Sequence, residues 1–262
     1  MNDHELAVFL ADTAGKRLIA LRNETEIDFS DRAATAAFEK VADKAANDYL
    51  IEQLKSLRPG DSILSEESPD SEVRLSANRV WIIDPVDGTK EYSRNEPEFA
   101  VHVALWQSGA LIAAAIAIPN HDFVWSTLDA PLQVHAQEID RPLMIVASHR
   151  ETAATIERLE RHLSHYADEH GFAGVAVMHC GSVGGKVHQL LAGVGDVYVS
   201  SVGFYEWDSA APTAVALHHG FAVSDFSGAQ LTFNAMPPKT DSYIVTHPWL
   251  YETVLHAMQD VQ

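Results

Sequence analysis

The chain has 262 residues, enough to bury a large core in one two-lobed domain or two small ones, and its 47% hydrophobic and 21% charged content is ordinary for a globular protein. A net charge of −19 excludes broad electrostatic attraction to nucleic acid or anionic membranes, but a small phosphorylated substrate stays within reach if metal cations stand between carboxylates and phosphate. The single cysteine, Cys180, excludes a disulfide framework and a multi-cysteine zinc site. With no signal-peptide pattern and no apolar run long enough to span a bilayer, a cytoplasmic setting without membrane insertion is expected.

Residues 4 to 22 carry apolar side chains at helical spacing (Leu6, Phe9, Leu10, Ala14, Leu18, Leu21) and predict a helix. The polar stretch from 23 to 42 has no clear period. A second helix is predicted over 43 to 57, with Ala46, Tyr49, Leu50 and Leu54 on one face and an RPGD turn after it. Residues 62 to 65 form a short strand running into Glu66 and Glu67. Further strands are expected at 80–83, 100–106, 111–118 and 123–126, several of them antiparallel because their connections are short. From about residue 141 strands alternate with helices, the helices at 151–170, 184–192 and 209–219. Helical layers around strands in both halves predict a layered α+β or α/β sandwich, with a boundary near 140 separating an N-terminal lobe, 1–140, from a C-terminal lobe, 141–262.

The stretch WIIDPVDGTKEY, residues 81 to 92, drives a buried strand into two carboxylates three residues apart. Pro85 cannot donate to a sheet ladder, so the strand is expected to end there. A tight turn can then aim Asp84, Asp87 and the carbonyl of Val86 at one point. Gly88 allows close backbone approach, and the amides of Gly88, Thr89 and Lys90 open a helix suited to an anion. Hard oxygen donors beside a phosphate cradle are what Mg²⁺ requires. By residue pattern alone Asp87 is either a ligand or a helix cap, and Asp208, at the start of the helix in EWDSAAPTAVALHHG, is open to the same two readings.

DPVDGT after a Trp-led strand, the upstream SEE and the downstream W-D-S-A-A together resemble the Mg²⁺-dependent, lithium-sensitive phosphomonoesterases. These include inositol monophosphatases, fructose-1,6-bisphosphatases and 3′(2′),5′-bisphosphate nucleotidases. The resemblance covers roughly residues 4 to 255 and implies their alternating α-β-α-β-α sandwich. It implies one metal held by Glu66, Asp84 and the carbonyl of Val86, and a second between Asp84, Asp87 and Asp208. Two or three Mg²⁺ ions and inhibition by Li⁺ are expected on the same ground. KVAD, residues 40 to 43, stands where the family has T-x-A-D. This implies that Asp43 and the Thr89 hydroxyl activate the attacking water, with Glu66 also catalytic, while Lys40 departs from the usual Thr.

Within that family three details resemble the nucleotidase branch: TKEY after the acidic turn, SVGGKVHQLLAG over 182–193, and Pro212 after WDSAA. They imply hydrolysis of 3′-phosphoadenosine 5′-phosphate to AMP, with Gly88, Thr89, Ser182, Lys186 and Asp208 meeting the substrate. Lys186 would hold the phosphate that is not cleaved. The branch's S-R-S-H segment reads ASHRETA here, so inositol or sugar phosphates remain alternatives. A silent nucleotide or metal sensor is the remote one, since every proposed carboxylate and Thr89 are present. D-x-x-D-G-T misplaces the nucleophile of a haloacid-dehalogenase D-x-D-G-T. GSVGGKV is one residue short of a P-loop and lacks its hydroxyl.

Overall fold

The computed structural model describes residues 1–28, 30–132 and 140–259. Two helices open the chain, α1 (Asp3–Glu24) and α2 (Arg32–Leu57). Asn2 caps α1 by accepting from Glu5 N, while the Glu5 carboxylate accepts from Asn2 N, both at 2.9 Å. Five strands follow: β1 (Ser62–Ser65), β2 (Arg79–Asp87), β3 (Ala100–Gln107), β4 (Ala110–Ile118) and β5 (Phe123–Ser126), with a short α3 (Thr89–Ser93) after β2. They lie in the order β1-β2-β3-β4-β5, parallel between β1 and β2 and antiparallel thereafter.

The rest of the chain builds a second sheet, β10-β12-β8-β6-β7, from β6 (Leu143–Ala147), β7 (Val175–His179), β8 (Val197–Ser200), β10 (Ala222–Ser224) and β12 (Tyr243–Thr246). Its helices are α4 (Ala153–His170), α5 (Val183–Leu191), α6 (Glu206–His218) and α7 (Tyr251–Gln259). Strands β9 (Phe204–Tyr205) and β11 (Lys239–Thr240) pair separately. No helix among the described residues is long and apolar enough to cross a membrane.

Strand alternation assigns the layers. On β2, Trp81 and Ile83 pack under α1 and α2 with Leu10 and Leu50, while Val80 and Ile82 face α5 and α6. In the second sheet Tyr198, Tyr243 and Val245 face the same two helices, and Val197, Val199 and Ile244 turn outward to α4 and α7. The result is the expected α-β-α-β-α sandwich. Helix α6 is buried almost all round by Ala210, Ala211, Ala214, Val215 and Ala216, whose small side chains let it fit between two sheets.

Three expectations change. The second helix begins at Arg32 and not near 43, because Asp31 caps it by accepting from Ala33 N at 2.8 Å. Strand β2 does not stop at Pro85. It continues to Asp87 through a register shift between Asp84 and Asp87, a bulge that accommodates the missing proline N–H. Helix α4 starts at Ala153, capped by Thr152, because the Glu151 carboxylate is taken by Ser201 N. The elements after Gly220 carry no expectation, and the boundary near 140 falls beside 133–139, outside the described residues.

One buried clamp joins distant parts of the chain. Arg74, 1% exposed in a 3₁₀ turn after β1, reaches both oxygens of Asp70 at 2.7 and 2.8 Å, Asn234 Oδ1 at 2.7 Å and the Ala235 carbonyl at 2.8 Å. The fully buried Glu206 carboxylate, in the first turn of α6, accepts from Asn234 N and Ala235 N, both at 2.7 Å. The segment that follows Glu66 is thereby fastened to the helix that carries Asp208. Removing one partner of such a network strands the others, so Arg74→Ala is expected to destabilise the fold by about 3 kcal/mol. Urea unfolding measures this, and a change within about 0.5 kcal/mol would show the clamp to be energetically idle.

Candidate active site

The acidic residues meet because of register. Ser65 on β1 pairs with Ile83 on β2, so the next step brings Glu66 level with Asp84. Across the antiparallel partner, Asp84 pairs with His102 on β3. The bulge then returns Asp87 to the same end of the sheet, opposite Ala100. Asp208 arrives from the second half of the chain in the first turn of α6. It is not the cap of that helix, since its carboxylate accepts from Tyr205 N, three residues earlier, at 2.8 Å. Pro212 lies inside α6, where its missing N–H leaves the Asp208 carbonyl without the usual helical donor.

Asp84, Asp87 and Asp208 each offer an oxygen within 4.8 Å of the others. They lie in a cleft of about 660 Å³ that is also lined by Glu66, Val86 and Thr89. Gly88 has φ +89°, and a Cβ there would sit 2.9 Å from the Glu98 carbonyl, so the turn depends on glycine. The five expected metal ligands, Glu66, Asp84, Val86, Asp87 and Asp208, thus line one cleft, brought there by one strand end, one bulge and one helix start. Glu66 stands beside Asp84 but outside the tight Asp84–Asp87–Asp208 group, and its surface is open to the cleft.

The electrostatics are lopsided. Burial pushes the Asp84 carboxyl well above its ordinary range, and Glu66, Asp87 and Asp208 add repulsion. Its Oδ1 accepts from Val86 N at 3.0 Å, while Oδ2 is buried without a partner. Crowding by the cleft walls, then the charges of Asp208 and Glu67, push Glu66 up to about 7. Burial and Asp87 push Asp208 up to about 6.

Asp87 goes the other way. Burial would raise it, but the charges of His102 and Lys186 and the Ser182 hydroxyl hold it below the usual carboxylate range. All its donors gather on one oxygen. Oδ2 accepts from Ser182 Oγ at 2.6 Å and Gly184 N at 2.7 Å. His102 Nε2 lies 3.1 Å away from it without forming an aligned hydrogen bond. An orphaned buried oxygen among three converging carboxylates is a donor set suited to a hard divalent cation.

Asp43 lies on α2, behind Thr89. Its carboxyl is pushed up to about 7 by burial and by Glu67, against a hydrogen bond with Thr89. The Thr89 hydroxyl has one proton to give, and the Val86 carbonyl at 3.0 Å competes with Asp43 for it. Asp43 is therefore mid-helix and paired, not an exposed helix-start residue.

Two expected substrate contacts are already engaged within the protein. The Ser182 hydroxyl serves Asp87 and accepts from Gly185 N at 2.9 Å. Lys186, 3% exposed, is no surface lysine: its Nζ donates to the carbonyls of Gly181 at 3.0 Å and Ser182 at 2.5 Å, so two of its three N–H bonds are committed. His102, fully buried between Asp87 and the Trp207 carbonyl, is a site residue that the sequence reading misses. Its one sequence signal is an imidazole inside an otherwise apolar strand.

The raised carboxyls fix a sign for pH. Glu66 and Asp208 bind protons in the folded chain at pH values where the unfolded chain has released them. Without metal, the contribution of these two groups to stability therefore falls as pH rises from about 4 to about 7. A divalent cation displaces those protons, so its binding strengthens over the same window. Added Mg²⁺ is expected to raise Tm clearly more at about pH 7.5 than at about pH 5. Thermal scans of the metal-free protein with and without Mg²⁺ check this, and an equal shift at both pH values would contradict it.

A model of the inositol monophosphatase family matches residues 4–262. The 3′-phosphoadenosine 5′-phosphate phosphatase of Mycobacterium leprae is 31% identical over 100% of this chain and 95% of its own length. The 3′(2′),5′-bisphosphate nucleotidase CysQ of Escherichia coli is 28% identical over 86% of this chain and 91% of its own. Among solved structures, CysQ from Bacteroides thetaiotaomicron superposes with a TM-score of 0.74 at 23% identity, covering 92% of this chain and 95% of that one, a likeness of fold. Sandwich, acidic cleft and family match over nearly the whole length agree: the chain belongs to the inositol monophosphatase family.

Proposed function

We propose that this protein is a Mg²⁺-dependent phosphomonoesterase that hydrolyses 3′-phosphoadenosine 5′-phosphate to AMP and phosphate. The observation that carries the chemistry is the convergence of Asp84, Asp87 and Asp208 within 4.8 Å at a cleft. The substrate rests on the relatives named for that reaction, at 28 to 33% identity over most of the chain. TKEY, the SVGGK segment and Pro212 support the same branch. Two Mg²⁺ ions are the reading that suits this donor set, with inhibition by Li⁺ expected. We place the protein in the cytoplasm and assign most metal ligands to an N-terminal lobe, 1–140, and Asp208, Ser182 and Lys186 to a C-terminal lobe, 141–262.

Glu66, Asp84, Asp87, Asp208 and the Val86 carbonyl would hold the ions. When bound, Mg²⁺ supplies charge for the phosphate oxygens and acidifies a coordinated water. The chain's own residues then have three tasks. Ser182, Gly184 and His102 hold Asp87 by one oxygen, which leaves Oδ1 free to bind. Thr89 lines the cleft, where its hydroxyl oxygen can accept from and orient a water. Asp43, poised near neutrality, takes the Thr89 hydroxyl proton once that O–H turns to it from the Val86 carbonyl, while the Thr89 oxygen accepts a proton from the water.

Asp84→Asn is expected to abolish turnover at saturating substrate, because the residue serves both ions. The same change removes a buried charge from a repelling cluster, so the metal-free variant should unfold at a higher temperature than wild type. Retained turnover in EDTA would refute the metal reading, and a lower metal-free Tm would refute the repulsion. Thr89→Ala should lower kcat by roughly 10²–10⁴-fold with KM little changed. An unaltered kcat would reduce Thr89 to a helix-start residue. A phosphate-release panel with Mg²⁺ tests the substrate, and a wild-type preference for inositol 1-phosphate or fructose 1,6-bisphosphate would move the assignment to those branches.

A further inference from the structure

The backbone does not hold the four acidic side chains equally. Asp84 and Asp87 pair across the sheet with His102 and Ala100, and Asp208 sits in a helical turn with its carboxylate on Tyr205 N. Glu66 has neither support. Strand β1 is an edge strand whose last paired residue is Ser65, and Glu66 and Glu67 form the turn beyond it. The Arg74 clamp takes hold only at Asp70.

One amide fastens this turn from behind. Asn47, 7% exposed, lies on α2 one helical turn after Asp43 and so on the same face. Its Oδ1 accepts from Ser65 Oγ at 2.7 Å, and its Nδ2 donates to Ser68 Oγ at 3.2 Å. Ser65 Oγ accepts from Glu67 N at 3.3 Å, and Ser68 N donates to the Ser65 carbonyl at 3.4 Å. The residues on either side of the Glu66–Glu67 pair are thus tied to a single side chain, one that has both a donor and an acceptor to give. Ser65 is buried, so its hydroxyl has little water to turn to if the amide is lost. One face of α2 therefore carries Asp43, beside Thr89, and the group that seats the Glu66 turn.

We infer that Asn47 is a positioning residue for Glu66. It holds the turn so that the Glu66 carboxylate stays at the acidic centre, and it thereby sets the affinity for the ion that Glu66 serves. This inference rests on the metal reading of the site. A ligand on an unfastened turn must be ordered by the ion itself, and that cost appears as weaker binding.

The test is calorimetric titration of the metal-free protein with Mg²⁺, alongside phosphate release from 3′-phosphoadenosine 5′-phosphate at increasing Mg²⁺. The proteins compared are wild type, Asn47→Leu, Ser65→Ala and Thr246→Val. Leucine is close to asparagine in shape and cannot hydrogen-bond, and Ser65→Ala cuts the same link from the strand side. Thr246→Val is the control, since it loses a buried bond to the Asp196 carbonyl in the second sheet. Asn47→Leu is expected to weaken Mg²⁺ binding, and to raise the half-activating Mg²⁺ concentration, by roughly 10–100-fold. Ser65→Ala shifts both in the same direction. At saturating Mg²⁺ kcat returns to within about threefold of wild type, because the ion restores the ligand to its place. Thr246→Val lowers Tm and moves neither Mg²⁺ constant.

Unchanged Mg²⁺ affinity in Asn47→Leu, or in Ser65→Ala should Asn47→Leu fail to fold, overturns the inference. So does a kcat that stays low at saturating Mg²⁺ with affinity intact, which would show Asn47 serving Asp43 instead. An equal loss of affinity in Thr246→Val overturns it as well, by reducing the effect to general stability. A wild type that binds no Mg²⁺ and turns over in EDTA overturns the metal reading and the inference with it.

Discussion

Like charges crowded at the foot of one cleft, two of them buried, are the constraint around which this molecule is arranged. Asp84 is 1% exposed, with Glu66, Asp87 and Asp208 acting on it and one oxygen without a partner. Left alone, such a cluster holds protons or pushes its carriers apart, since isolated charges are costly in a low dielectric. The fold prevents the second outcome by mounting the four carboxylates on three rigid supports: Glu66 at the end of β1, Asp84 and Asp87 on the bulged end of β2, and Asp208 in the first turn of α6. Strain of this kind suits a centre that is complete only when cations occupy it.

The members of the cluster are treated unequally, and the inequality divides the work. Asp87 is held below the usual carboxylate range with Ser182, Gly184 and His102 all on its Oδ2 and the Lys186 charge nearby. Asp84 receives a single backbone donor, and Glu66 faces open cleft. One carboxylate is a fixed anion and the others are responsive ones. Residues with the appearance of substrate contacts, Ser182 and Lys186, are spent on that fixing.

The five layers serve the same end. Helices α5 and α6 lie between the sheets, so side chains from both halves of the chain reach one cleft without a long loop. Gly184 shows how tight that layer is: a Cβ would come within 2.4 Å of His102 Nε2 and 2.7 Å of Ala100 Cβ. The Arg74–Glu206 clamp then sets the distance between the segment after Glu66 and the start of α6 from the outside. Geometry that must hold mutually repelling groups gains from being tied at more than one point.

Much of this was legible in the chain alone. DPVDGT is contiguous, so Asp84, Val86, Asp87, Gly88 and Thr89 could be named together, and W-D-S-A-A supplied Asp208. The first helix has a period that a single sequence reveals because it buries one face, while β2, β3 and β4 show as short apolar runs because both of their faces are buried. The start of α2 was hidden, since its first turns have an exposed, polar face and only the Asp31 cap marks them. The short strands after Gly220 have too few residues to establish a period. What the tertiary structure alone decided was partnership. His102 meets Asp87, Arg74 meets Asn234 and Lys186 turns to backbone carbonyls through folding, not spacing. A sequence fixes which groups exist and which face of an element they occupy. Which of them is left unpaired depends on every other group that reaches the same place, and that is a property of the packed layers.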